Sequence, residues 1–115
     1  MEQKIRVLLA DSDSEFCARM AAALENAGDM ELAGIAEDGA KALAAVGELQ
    51  PDLLIIDLVL PVMDGIMVLS RLHEQGQKAP ATVVLSAFAS PQAGAECTAL
   101  GVDMFLRKPM DAETV

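Results

Sequence analysis

The chain has 115 residues, 53% of them hydrophobic, and a formal net charge of −10. That length holds one hydrophobic core and not two, and the acidic balance excludes a domain that grips a nucleic-acid backbone, which needs clustered Lys and Arg to displace counterions. No apolar window reaches the ~18 residues of a membrane span, and "MEQKIRVLLADSD" lacks the h-region and cleavage site of a secretory signal, so a cytoplasmic address without membrane contact is expected.

Taken in chain order, "IRVLLA" (5–10) reads as a buried strand, and Phe16, Met20, Ala23, Leu24 and Ala27 then recur with the stripe of an amphipathic helix, closed by Gly28. "MELAGIA" (30–36) is a second strand, and "EDGAKALAAVGEL" a short helix with Leu43 and Val46 inward. "PDLLIID" (51–57) is the third strand, its Pro at the entrance where no ladder bond is lost. After "LVLPVMDG" a helix carries Ile66, Leu69 and Leu72 and ends near Gly76. "TVVLSA" (82–87) is strand four, "SPQAGAECTALG" a weaker helix with Ser90 as N-cap, Pro91 at its first position and Gly101 as its stop, and "VDMFLRKP" (102–109) strand five.

Five runs of branched apolar residues, each followed by a helix, describe an α/β fold with a doubly wound parallel sheet buried on both faces. No repeat or linker divides residues 1–115. In the terminal "MDAETV", Asp111 reads as the N-cap of a fifth helix barely begun. The apolar face left bare points to a longer protein or a covering partner.

Open α/β sheets bind ligands at the C-terminal ends of their strands. Those ends carry Asp11, Ser12 and Asp13 after strand one, Asp57 after strand three, Ser86 after strand four, and Lys108 with Pro109 after strand five. Clustered carboxylates repel unless a cation joins them, and oxygen-only donors favour Mg²⁺. Asp57, an acid at the end of an apolar strand, is then suited to accept a phosphoryl group, the ion and the Lys108 ammonium offsetting its charge.

The runs "VLLAD", "PDLLIIDLVLPVMDG", "VVLSAF" and "FLRKPMD" together resemble the receiver domain of two-component response regulators, over essentially the whole chain. Within that family, "KIRVLLAD" and "DMELAGIAEDGAKAL" are most similar to the receivers of sporulation master transcription regulators. The resemblance implies a flavodoxin-like strand order 2-1-3-4-5, with the last helix largely missing here. It implies phosphoryl transfer to Asp57 from a phosphohistidine on a histidine kinase or phosphotransfer protein. Mg²⁺ would be held by Asp11, Asp57 and the Val59 carbonyl, with Asp13 as a further acid in reach. Lys108 would pair with the phosphoryl oxygens, Ser86 would hydrogen-bond one of them, and Ser86 and Phe105 would form the switch. A homodimer through the helix-four, strand-five and helix-five face is implied, and DNA would be met only through an output domain outside this chain. In this family two adjacent acids follow strand one; here Ser12 takes the place of the second, a poorer Mg²⁺ ligand.

Structural readings compete at several positions. "SDSE" (12–15) fits a capping box with Ser12 as N-cap, and Asp64 suits the cap of the third helix. His73 reads as solvated, the seven Met residues as core filler, with Met63 and Met67 candidates for a partner surface, and Cys17 and Cys97 as reduced structural thiols. Two other functions are weighed: a pseudo-receiver acting without phosphorylation, and a haloacid-dehalogenase-like phosphatase using Asp11 as nucleophile and Asp13 as acid/base. The latter lacks a later acidic pair and room for a substrate cap.

Overall fold

The computed structural model describes residues 4–75, 80–86 and 91–107. Strands and helices alternate: β1 (Ile5–Ala10), α1 (Ser14–Ala27), β2 (Met30–Ala36), α2 (Gly39–Leu49), β3 (Leu53–Asp57), α3 (Gly65–Glu74), β4 (Ala81–Ser86), α4 (Pro91–Ala99) and β5 (Met104–Arg107). The sheet is all parallel in the order β2-β1-β3-β4-β5, so the expected α/β, flavodoxin-like topology holds. The fifth helix expected from Asp111 lies outside the described residues, as do the Ser90 cap and the Gly76 helix end.

The central strands show why the chain folds this way. Val7 through Ala10 and Leu54 through Ile56 are at most 1% exposed, because a parallel strand covered by helices on both faces has no polar side. Alternation divides them between two cores. Leu8, Ala10, Leu54 and Ile56 face Val46, Val68, Leu69 and Leu72 of α2 and α3, whereas Val7, Leu9 and Ile55 face Phe16, Cys17, Met20 and Leu24 of α1. Each such Leu or Ile contributes about 2 kcal/mol of burial. Edge strand β2 is mostly half-buried, and its register with β1 shifts between Val7 and Leu8.

Helix ends follow local chemistry. Gly28 closes α1 at φ 81°. Leu100, Gly101 (φ 80°) and Val102 end α4, with the Gly101 N–H donating to the Thr98 carbonyl and the Val102 N–H to that of Cys97. Asp64 caps α3, its Oδ1 accepting the Met67 N–H at 2.9 Å, as the sequence indicated. The start of α1 corrects the expectation. Asp13 is the N-cap in place of Ser12, and its Oδ1 accepts the N–H groups of Glu15 (3.0 Å) and Phe16 (3.1 Å). The cause is upstream: the Asp13 N–H is drawn back to Asp11 Oδ1 at 2.9 Å, which delays the helix by one residue. Asp13→Ala should therefore cost about 1 kcal/mol and lower the melting temperature by about 4 °C, while Ser12→Ala leaves thermal unfolding within about 1 °C of the parent; equal losses would restore Ser12 as cap.

Both cysteines are buried and free of disulfides. Burial, and secondarily the charge of Glu96, pushes the Cys97 thiol up, which keeps it protonated and unreactive.

Candidate functional site

Strand register brings the polar residues together. Ala10 pairs with Ile56, so Asp11 and Asp57, each one step further along, end neighbouring strands roughly 5 Å apart in backbone. Asp57 in turn pairs with Leu85, which places Ser86 one step beyond it on β4, and Ser86 pairs with Arg107 on β5. Lys108 and Pro109, which follow Arg107, lie outside the described residues. Phe105, opposite Val84, is half-buried and packs against the α2/α3-side core.

The three described polar residues at this edge are nearly covered, with Asp11 at 1%, Asp57 at 8% and Ser86 at 2% exposure. Two carboxylates withdrawn from water carry a large desolvation cost unless hydrogen bonds or a cation offset it. The same local device orients both. Asp11 Oδ1 accepts the N–H of Asp13 at 2.9 Å, and Asp57 Oδ1 accepts the N–H of Val59 at 3.0 Å, each an Asx turn spanning two residues. The Cys17 Sγ–H also donates to the Asp11 carbonyl at 3.4 Å. A depression of about 460 Å³ opens beside Asp11 on the α1 and β2 side, lined also by Ser12, Ser14, Cys17, Ala18, Ile35 and Glu37.

The β3–α3 loop frames the other side of Asp57. Its two ends are tied down: the Leu58 N–H donates to the Leu85 carbonyl (3.1 Å), and the Gly65 N–H to that of Leu58 (2.9 Å). Between them the Gly39 N–H donates to the Pro61 carbonyl (3.2 Å), joining the loop to the start of α2. The Met63 N–H closes a three-residue turn on the same carbonyl (2.7 Å), which forces Val62 to φ 70°. Such a backbone costs of order 1–3 kcal/mol for a non-glycine residue. Gly65 is required by contact, since a Cβ there would stand 2.6 Å from the Asp57 carbonyl oxygen.

Of the residues singled out from sequence, Asp11, Asp57 and Ser86 converge, and Val59 is bonded to Asp57. Asp13 sits at the same edge with its Oδ1 engaged in the α1 cap. His73 is exposed on the last turn of α3, Met63 is half-buried and Met67 is 47% exposed. Gly39, Val62 and the Cys17 bond to Asp11 were not anticipated. The Asp38-Gly39 pair was a visible cap signal, but the loop that presses on it comes from elsewhere in the chain.

Among the described residues no three His, Cys, Asp or Glu side chains gather into a metal cage, and no helix is long and apolar enough to cross a membrane. The side-chain donors that the strand ends bring to this edge are oxygens: the carboxylates of Asp11 and Asp57 and the hydroxyl of Ser86. That set fits Mg²⁺, which takes one or two carboxylates and keeps waters or phosphoryl oxygens for the rest.

Residues 7–115 match the family model of the response regulator receiver domain. Among solved structures, the signal receiver domain of the response regulator NarL from Mycobacterium tuberculosis is 26% identical, with 97% of this chain and 92% of that one covered at a TM-score of 0.88. The receiver domain of Francisella response regulator 1452 is 29% identical, covering 96% and 89% at a TM-score of 0.86. A chain from the CheX–CheY–BeF3–Mg²⁺ complex of Borrelia burgdorferi is 25% identical, covering 97% and 84% at a TM-score of 0.84.

Proposed function

The chain belongs to the response regulator receiver domain family, and from that membership we propose that it is a phosphorylation-operated switch with Asp57 as its phosphoryl acceptor. Receiver domains are signalling modules, and the match favours neither the phosphatase nor the pseudo-receiver alternative. The observation that carries the proposal is that Asp57 and Asp11 follow the paired residues Ile56 and Ala10 at the C-terminal sheet edge, both buried and each oriented by its own Asx turn, with Ser86 one residue along the next strand.

In this reading an Asp57 carboxylate oxygen attacks phosphorus on a phosphohistidine of a histidine kinase or phosphotransfer protein. The Val59 N–H holds Oδ1 in place for the attack. Asp11, Asp57 and the Val59 carbonyl would hold Mg²⁺, with Asp13 a further carboxylate at the same edge. Bound, the ion supplies positive charge to the phosphoryl oxygens. Lys108 pairs with those oxygens, and the Ser86 hydroxyl donates to one. The new charge biases Ser86 and Phe105, shifting the population of the α4–β5 face. That face, with a fifth helix, would support a homodimer. Transcriptional output through a DNA-binding domain elsewhere, and a sporulation role, are the finer parts of the proposal. The full-length gene product, examined for DNA binding before and after phosphorylation, tests them.

Intact-mass measurement after incubation with acetyl phosphate tests the core of it. One phosphoryl adduct is expected, dependent on Mg²⁺ and mapped by peptide analysis to Asp57. An adduct on Asp11 with steady hydrolysis of phosphate monoesters would support the phosphatase instead, and no adduct from any donor would leave the pseudo-receiver.

A further inference from the structure

We infer that Glu37 is a third carboxylate of the cation-binding sheet edge, contributed by β2, an inference that rests on the Mg²⁺ set proposed above. The register carries it. Ala36, Ala10 and Ile56 are paired across β2, β1 and β3, so the residues one step further on, Glu37, Asp11 and Asp57, end three adjacent parallel strands in line, each about 4.8 Å from the next in backbone. The ladder is kept at this point, because the Asp11 N–H donates to the Ala36 carbonyl at 3.0 Å. Side chains two residues apart in a strand share a face of the sheet. Leu9 and Ile55, two before Asp11 and Asp57, belong to the core against α1. Ile35, two before Glu37, lines with Cys17 and Ala18 of α1 the depression that Asp11 and Glu37 also line. All three acids are thereby set toward the α1 side.

Other acids near this edge are committed elsewhere. Asp13 Oδ1 accepts two N–H groups at the start of α1, Asp38 Oδ1 accepts the Lys41 N–H at the start of α2, and Asp64 Oδ1 that of Met67 at the start of α3. Glu37 is exposed, and no hydrogen bond or ion pair to the described residues holds its carboxylate. The described residues lining the depression that it shares with Asp11 include no Lys, Arg or His. Like charges on neighbouring strands repel, and a cation entering between them reverses the sign of that interaction. Ser12, beside Asp11, adds a hydroxyl and no charge. Among the described residues no three acids close into a cage, and Glu37 lies two strand spacings, about 10 Å, from Asp57 in backbone. It therefore acts on the ion through one of the waters that Mg²⁺ keeps, as a positioning residue that does not touch the phosphoryl group.

Mn²⁺, which takes the same oxygen donors, reports on the site without any phosphodonor. Its dissociation constant, read from free Mn²⁺ by electron paramagnetic resonance, should rise about fivefold in Glu37→Gln, the order of one charge acting through water on a divalent ion. Circular dichroism and melting should overlay the parent. Glu48→Gln is the charge-matched control, since Glu48 lies in the last turn of α2, where the Leu49 and Gln50 carbonyls accept Arg6 from the start of β1 at the opposite edge of the sheet. Its constant should stay within about 1.5-fold of the parent, the rest being screened by salt. In a Ser12→Asp background, Glu37→Gln should raise the constant by less than about twofold, because the new acid beside Asp11 makes that of Glu37 dispensable. An unchanged constant in Glu37→Gln, an equal rise in Glu48→Gln, or an undiminished rise in the Ser12→Asp background would overturn the inference. A parent that binds no Mn²⁺ would overturn the metal set itself, an outcome distinct from a parent that binds it and a Glu37→Gln variant that binds it equally well.

Discussion

Asp57→Asn is expected to abolish phosphoryl uptake from every donor while leaving the fold intact. The amide keeps an Oδ1 that can accept the Val59 N–H, now at 3.0 Å, so the Asx turn and the loop survive, and only the nucleophilic carboxylate is lost. Circular dichroism and thermal melting should overlay the parent while intact mass shows no adduct. Asp11→Asn separates acceptance from metal binding. Its Asx turn to Asp13 is likewise kept, and Asp57 still accepts, but the Mg²⁺ concentration giving half-maximal phosphorylation should rise about tenfold or more with one carboxylate fewer around the ion. Ser12→Asp should lower that concentration by supplying an acid beside Asp11. An adduct persisting in Asp57→Asn at parental yield would end the acceptor reading, and an unchanged Mg²⁺ requirement in Asp11→Asn would remove Asp11 from the metal set.

Gly39→Ala is expected to destabilise the domain by about 3 kcal/mol and to lower its melting temperature by about 10 °C. The added Cβ would overlap the Met63 carbonyl. Making room for it would shift a turn in which the Met63 N–H and the Gly39 N–H share the Pro61 carbonyl. The loop would have to lift from α2, which disturbs the ground on which Asp57 and Val59 stand. Gly47→Ala in the same helix is the matched control: a Cβ there meets nothing within 4 Å, and removing a glycine from a helix interior should raise stability by about 0.5–1 kcal/mol. A Gly39→Ala variant melting within 2 °C of the parent would show that the loop and α2 are not pressed together.

The phosphoryl-acceptor reading was open to inspection in the residues themselves because a parallel strand buried on both faces cannot hide a charge. "LLIID" and "VLLAD" each run apolar until an acid, and the acid marks the strand end where such sheets bind ligands. The caps at Asp64 and Gly28, the Gly101 stop and the strand positions were legible for the same local reason, since each depends on residues within one turn of chain. Ser12 and Asp13 show the limit of that kind of reading. "SDSE" satisfies the capping pattern from Ser12, yet Asp11 competes for the Asp13 N–H and moves the cap one residue on.

What local pattern could not supply was anything made by two distant segments meeting. The register that sets Asp11 beside Asp57 follows from Ala10 pairing with Ile56, a choice made by how the two cores fill. The need for glycine at 39 arises because the β3–α3 loop lies against the first turn of α2, and the left-handed Val62 arises because that loop must close on Pro61 within three residues. The sequence by itself determined which residues are buried and which acids end the strands, since those depend on the polarity of each short run. Only the tertiary structure decided how closely those ends approach and how rigidly the loop between them is held, because both are properties of contacts between segments that are far apart along the chain.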